Sequence, residues 1–172
     1  MPRVCVYIAA SLDGFIAGPA GELEWLESAA SPDEDYGYDQ FLAGVDAVAM
    51  GSGTYGHIAA MDPLPFGDRP VFVFTHREMP ARPGVVFWSP TPEQAMAQWE
   101  REGLSTVYLD GGRLISDFLA EDLVDEIVLT VVPLLLGDGL PLFHPTGRAI
   151  PLALRGIQSW PSGMVQLRYA RS

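Results

Sequence analysis

Three short stretches gather the groups that an anionic ligand needs. Residues 47–58 read AVAMGSGTYGHI, with Gly51, Gly53 and Gly56 in a G-x-G-x-x-G pattern between an apolar run and a helix-like one. Unpaired amides at such a junction, reinforced by the dipole of the following helix, suit a diphosphate. A tight strand-to-helix turn accounts for the glycines equally well. The full dinucleotide fingerprint is missing, because Pro63, Pro65 and Pro70 soon break the helix pattern and an earlier strand precedes it. Thr75, His76 and Arg77 close the run VFVFTHRE. A dinucleotide domain that prefers NAD favours an acidic residue at the corresponding ribose. A hydroxyl, an imidazole and a guanidinium suit a 2′-phosphate instead, unless they are only a solvated turn.

The third stretch, TVYLDGGRLISDFL at residues 106–119, sets Gly111 and Gly112 between a strand-like run and a helix-like one. A two-residue Asp-Gly hairpin is disfavoured, since the residues after Gly112 are helix-patterned and not strand-patterned. A strand–Gly-Gly–helix junction leaves unpaired N–H groups and removes the Cβ atoms that would hold a diphosphate or a nicotinamide away. Arg113 adds a charge-assisted contact. A helix entry with unusual dihedrals, needed for packing alone, explains the same pair.

Other chemistries are closed off. All ten basic residues are Arg, so neither a Schiff-base lysine nor a P-loop lysine exists. Cys5 is the one cysteine, which rules out an internal disulfide and a cysteine metal cluster. His57, His76 and His144 have no metal-ligand spacing. A formal net charge of −12 argues against nucleic acid or an anionic membrane as partner. The first apolar run is too short to span a bilayer and ends in Asp-Gly, so a cytoplasmic protein is the expectation.

The elements that must position these groups emerge from pattern. Strands are expected over 3–9, 46–50, 71–75, 85–88, 106–109 and 126–136, with a terminal hairpin near 152–159 and 164–170. Thr91-Pro92-Glu93-Gln94 forms a capping box ahead of Ala95, Met96 and Trp99. Ser31-Pro32-Asp33-Glu34 has the same form ahead of Tyr38, Phe41, Leu42 and Val45, predicting a helix that would carry Asp35 on the face of Tyr38 and Leu42. A short helix should begin near Thr54 and another run from Arg113 to Ala120, with Leu114, Ile115, Phe118 and Leu119 inward. The whole is one α/β domain, residues 1–172. Its single mixed, mostly parallel sheet has about eight strands and an antiparallel C-terminal hairpin, flanked by about four helices. Ligands of such sheets bind at the carboxyl ends of the strands.

In YIAASLDGFIAG, LEWL, DAVAMGSGTYGHI, PVFVFTHRE and VYLDGGRLISDFLAEDLVDEIVLTVVPLLLGDGLPLF, the chain resembles the dihydrofolate reductase fold. Its nearest likeness is the branch holding the reductase domain of riboflavin biosynthesis and its stand-alone relatives. The resemblance implies hydride transfer from NADPH to a small heterocycle, pterin- or pyrimidine-like. It places Gly51, Ser52 and Thr54 on the pyrophosphate, and Thr75, His76 and Arg77 around the ribose phosphate. Gly111, Gly112, Arg113, Leu114 and Ile115 would wrap the diphosphate, with a cis Gly111–Gly112 bond as in dihydrofolate reductases. Ala9 and Ile16 would present backbone groups to the nicotinamide. On the substrate side it implies Trp25 as a lid, Thr130 as a hydrogen-bonding group and Asp35 as the carboxylate assisting protonation. Asp13 would face the substrate mouth or shape a turn, Trp25 has a buried staple as its alternative, and Asp33, Glu34 and Asp35 would otherwise serve the helix dipole. Riboflavin reductases carry Lys where this chain has Phe15, which argues against a phosphorylated ribityl substrate. A homodimer is also implied. The alternative function is a non-catalytic NADP(H)- or ligand-binding module.

Overall fold

The computed structural model describes all 172 residues. In chain order the elements are β1 (Arg3–Ser11), β2 (Phe15–Ala17), α1 (Glu24–Ala29), α2 (Tyr38–Ala43), β3 (Ala47–Gly51) and α3 (Ser52–Ile58). Then come β4 (Val71–Phe74), β5 (Val85–Trp88), α4 (Pro92–Arg101), β6 (Thr106–Asp110) and α5 (Gly112–Ala120). The chain ends with β7 (Glu126–Val132), β8 (Leu140–Pro141), β9 (Leu152–Ser159) and β10 (Val165–Arg171).

Eight strands form one sheet in the order β5-β4-β3-β6-β1-β7-β10-β9, and β2 pairs with β8 beside it. The first six run parallel, so β1, β3, β4, β6 and β7 all deliver their carboxyl ends to one edge. β10 and β9 are antiparallel, as a hairpin with a tight connection must be.

Alternation along the strands divides the core between two faces. Val4, Val6, Ile8, Leu109 and Phe72 point to one face and meet Trp99 of α4 and Ile115 and Phe118 of α5. The rings of Trp99 and Phe118 stack there with centroids 5.7 Å apart. On the opposite face Val48, Met50, Val71, Val73 and Tyr108 pack against Tyr55 of α3, with Tyr7, Tyr38 and Phe41 alongside.

The Thr91 capping box forms as expected, Thr91 Oγ1 accepting from Gln94 N and Gln94 Oε1 from Thr91 N. The one expected at Ser31 does not. Residues 30–37 are irregular, and α2 starts only at Tyr38 behind Gly37 in the left-handed region. Glu34 is drawn out of the capping pattern by the β9–β10 turn, where Ser162 donates to it from both its amide and its hydroxyl. α1 is a fifth helix beyond the four expected, and it carries Trp25. The apolar run 126–136 stops pairing at Val132, because Pro133 has no N–H to offer a ladder.

Candidate functional site

Two strand-to-helix junctions touch at the carboxyl edge. β3 passes into α3 at Gly51 and Ser52, and β6 passes into α5 at Gly111 and Gly112. Gly111 has φ +102°, a backbone that side chains strain to adopt. A Cβ there would sit 2.8 Å from Thr54 Oγ1 and 3.8 Å from Gly51 N. A Cβ on Gly112 would lie 2.4 Å from the Pro141 carbonyl oxygen and 2.7 Å from that of Leu142. Gly112 is therefore required by the protein's own main chain, which fills the side where a Cβ would stand, and Gly111 by its φ and by the Thr54 side chain. Gly51 and Gly53 are different: nothing lies within 4 Å of a Cβ built on either. Open space adjoins α3. The Gly111–Gly112 bond is trans, contrary to the expectation; the cis bond of this chain is Asp62–Pro63.

Around this contact Ser52 and Thr54 are half-buried, while Leu114 and Ile115 direct their side chains into the core. Arg113 is exposed and pairs with Asp117 at 3.3 Å. At the end of β4, Thr75 Oγ1 accepts from Arg77 N at 3.0 Å and His76 shares a hydrogen bond with Ser89 Oγ at 2.7 Å. Arg77 is exposed and enters none of the ion pairs.

The segment after β1 forms the other rim. Asp13 shapes a turn: Oδ1 accepts from Ser11 Oγ at 2.6 Å and Leu136 N at 3.0 Å, and Oδ2 accepts from Gly137 N at 2.8 Å. The Ser11 hydroxyl, with the two amides, pulls its pKa down to about 2. Ile16 packs against the core. Trp25 is half-buried on α1 and donates to the Glu22 carbonyl at 3.1 Å. Gly21 comes close to the His57 ring, 3.4 Å from a Cβ built there, so this segment reaches α3.

On the face of α2, Ala9, Thr130 and Gln166 form one row across β1, β7 and β10. Gln166 Nε2 donates to Thr130 Oγ1 at 3.0 Å and to the Tyr36 carbonyl at 2.9 Å. Asp35 is exposed on the irregular segment, not on a helix, and its Oδ1 accepts from Gly37 N at 2.7 Å.

Asp110 and Gln166 belong to this arrangement, although sequence reasoning singles out neither. Asp110 ends the central β6, opposite Met50 of β3. Its residue keeps some exposed surface, but burial of the carboxyl pushes its pKa up to about 6, against the Gly111 amide, the Tyr108 hydroxyl and nearby His57. Tyr108 in turn donates to the Tyr7 carbonyl at 3.0 Å. The available signal for Asp110 is its place as the last residue of an apolar strand, immediately before the glycine pair. Gln166 gives none, since alternate polar residues are ordinary in a terminal hairpin.

A separate hollow of about 830 Å³ opens behind α3, lined among others by Tyr55, Leu64, Arg69, Met79, Arg82 and Phe87. Its two guanidinium groups are engaged by the carbonyls of Val45, Phe66, Ala59 and Met61.

Residues 2–166 match the family model of the RibD C-terminal domain. The chain belongs to the RibD C-terminal domain family. Protein YwjB of Bacillus subtilis (strain 168) is 35% identical to this family member over 173 residues, covering 99% of this chain and 98% of its own. A crystal structure from Shewanella sp. PV-4, named for riboflavin biosynthesis, superposes with a TM-score of 0.90 at 32% identity, covering 99% of both chains. A dihydrofolate reductase from Enterococcus faecalis, solved with NADP(H), gives a TM-score of 0.71 at 17% identity over 99% of this chain and 96% of its own. That last likeness is one of fold, and it carries the dihydrofolate reductase-like architecture to this RibD C-terminal domain.

The Asp110 carboxyl makes stability depend on pH. The folded protein holds its proton up to about pH 6, whereas the ordinary value is 3.8. Folding therefore takes up a proton between these values, and this contribution is full in acid and lost as the pH rises through about 6. Urea unfolding of wild type and Asp110→Asn across pH 4–8 should show the wild type losing stability relative to the variant over that window. Parallel profiles would contradict the assignment.

Proposed function

We propose that this protein is an NADPH-dependent reductase of a small heterocycle, pterin- or pyrimidine-like. One observation carries the reading. The junction pair at Gly51–Thr54 and Asp110–Gly112 lies beside a carboxyl with a raised pKa, on the sheet edge where ligands of this architecture bind. The Enterococcus faecalis enzyme holds NADP(H) on the same fold, which favours that nucleotide here.

The residues present fit such a cofactor. Gly51 and Gly53 leave room for a diphosphate, Ser52 and Thr54 add hydroxyls, and the first-turn amides of α5 lack intrahelical partners. Thr75, His76 and the unpaired Arg77 suit a 2′-phosphate. Ala9 and Ile16 would offer main-chain groups to the nicotinamide. When bound, NADPH supplies a hydride; the protein supplies alignment and exclusion of water.

Asp110 is the group best suited to hold the proton. The Gly111 amide and the Tyr108 hydroxyl lie against this carboxyl, and burial outweighs both. A carboxyl poised near pH 6 can release that proton to a ring nitrogen. Thr130 is the substrate-binding hydroxyl, Trp25 the lid and Asp35 a charge at the rim. Asp13 is committed to the turn at residues 136–137 and acts through it.

A non-catalytic ligand-binding module is the second reading. It is favoured by the engagement of Asp13 and Asp35 with main-chain amides. NADPH oxidation with dihydrofolate and other pterins decides between them: nucleotide binding without oxidation of any substrate favours the module.

No helix is long and apolar enough to cross a membrane, and an NADPH-consuming enzyme suits the cytoplasm. We also infer a homodimer. Ile157 pairs across the sheet with Leu167, and Leu154 with Tyr169, continuing the α5 face outward, yet Ile157 is 65% and Leu154 50% exposed.

Two results are expected. Arg77→Ala should weaken NADPH at least tenfold while changing NADH less than twofold; equal losses would remove the 2′-phosphate assignment. Ile157→Glu should convert a dimer to a monomer in sedimentation at micromolar concentration, and a monomeric wild type would refute the interface.

A further inference from the structure

Residues 30–37 join α1 to α2 with no regular structure of their own, yet they carry Asp35 and lead into Tyr38 and Phe41. The C-terminal hairpin holds them. The Glu34 carboxylate accepts from Ser162 N at 2.9 Å, from the Ser162 hydroxyl, and from Tyr36 Oη at 2.7 Å. Tyr36 Oη accepts in turn from Ser31 N at 3.1 Å, and its ring meets Trp160 edge-on at 4.9 Å. The Tyr36 carbonyl accepts from Tyr7 Oη at 2.5 Å and from Gln166 Nε2 at 2.9 Å. The second amide proton of Gln166 reaches Thr130 Oγ1 at 3.0 Å. Glu34 is thus clasped to the turn between β9 and β10, and Tyr36 is bridged to β7, on either side of Asp35. Partial desolvation opposes the Glu34 charge, but the bonds from Ser162 and Tyr36 outweigh it and hold the carboxyl below its ordinary range.

We propose that Glu34, Ser162 and Gln166 are positioning residues: the C-terminal hairpin sets the loop that carries Asp35 against the substrate side of the sheet. The consequence for substrate rests on the reductase reading, whereas the clasp rests on geometry alone. The hairpin touches neither nucleotide-side junction, so the effect on substrate and on nucleotide should separate. Glu34→Gln keeps the shape but loses the charge that strengthens all three bonds. Ser162→Ala removes one donor, and Ser162→Thr retains it.

Hydrogen exchange on the full chain reads the clasp directly. In Glu34→Gln and Ser162→Ala, amides of residues 31–37 should exchange at least tenfold faster, with those of β3 and β6 unchanged and Ser162→Thr restoring the wild-type pattern. Using dihydrofolate as the substrate probe, its Kd should rise at least fivefold in Glu34→Gln while that of NADPH stays within twofold. Unchanged exchange in both variants, or equal loss of the two affinities, would overturn the proposal. A wild type that binds neither compound would sink the reductase reading, and the exchange pattern would still decide the clasp.

Discussion

Gly111 and Gly112 let the entry to α5 settle against two neighbours that a Cβ would push away. One is the Thr54 side chain at the start of α3, the other the main chain at residues 141–142. A backbone carbonyl 2.4 Å from a built Cβ cannot yield as a flexible side chain can. This convergence fixes the register of the carboxyl edge. It ends β6 at Asp110 and leaves the space over Gly51 and Gly53 open.

The two faces of the sheet then divide the work. The face covered by α4 and α5 is packed with Trp99, Phe118, Ile115 and Leu109, each essentially without exposed surface. The face toward α2 is aromatic but polar at its tips, through Tyr7, Tyr38, Tyr108, Thr130 and Gln166. Burial costs a charge heavily, and this raises Asp110 in spite of its polar neighbours, while solvated Asp13 is driven down by donated hydrogen bonds. Two carboxyls of one residue type thereby come to differ by several pH units.

Much of the architecture is legible in the sequence. Strand positions, α4 with its cap, the inward residues of α5 and the terminal hairpin can be read from apolar period and capping chemistry, which are local. The failures are non-local. Ser31–Glu34 has every local mark of a capping box, but Ser162 competes for the same carboxylate from 128 residues away. The glycine pair does signal a close approach, yet the group approaching Gly112 is the protein's own Pro141. Asp110 escapes sequence reasoning because its chemistry comes from what buries it. Its neighbours Tyr38 and His57 lie far from it in sequence.

The reductase reading stands on a nicotinamide nucleotide lying over the Gly51–Thr54 and Asp110–Arg113 junctions. Titration of the 15N-labelled protein with NADPH tests this most directly. Amide shifts should be largest at Gly51, Ser52, Gly53, Gly111 and Arg113 and extend to Thr75–Arg77, with Met61, Arg69 and Arg82 around the hollow behind α3 unmoved. Shifts concentrated on that hollow, or none at either junction, would contradict it.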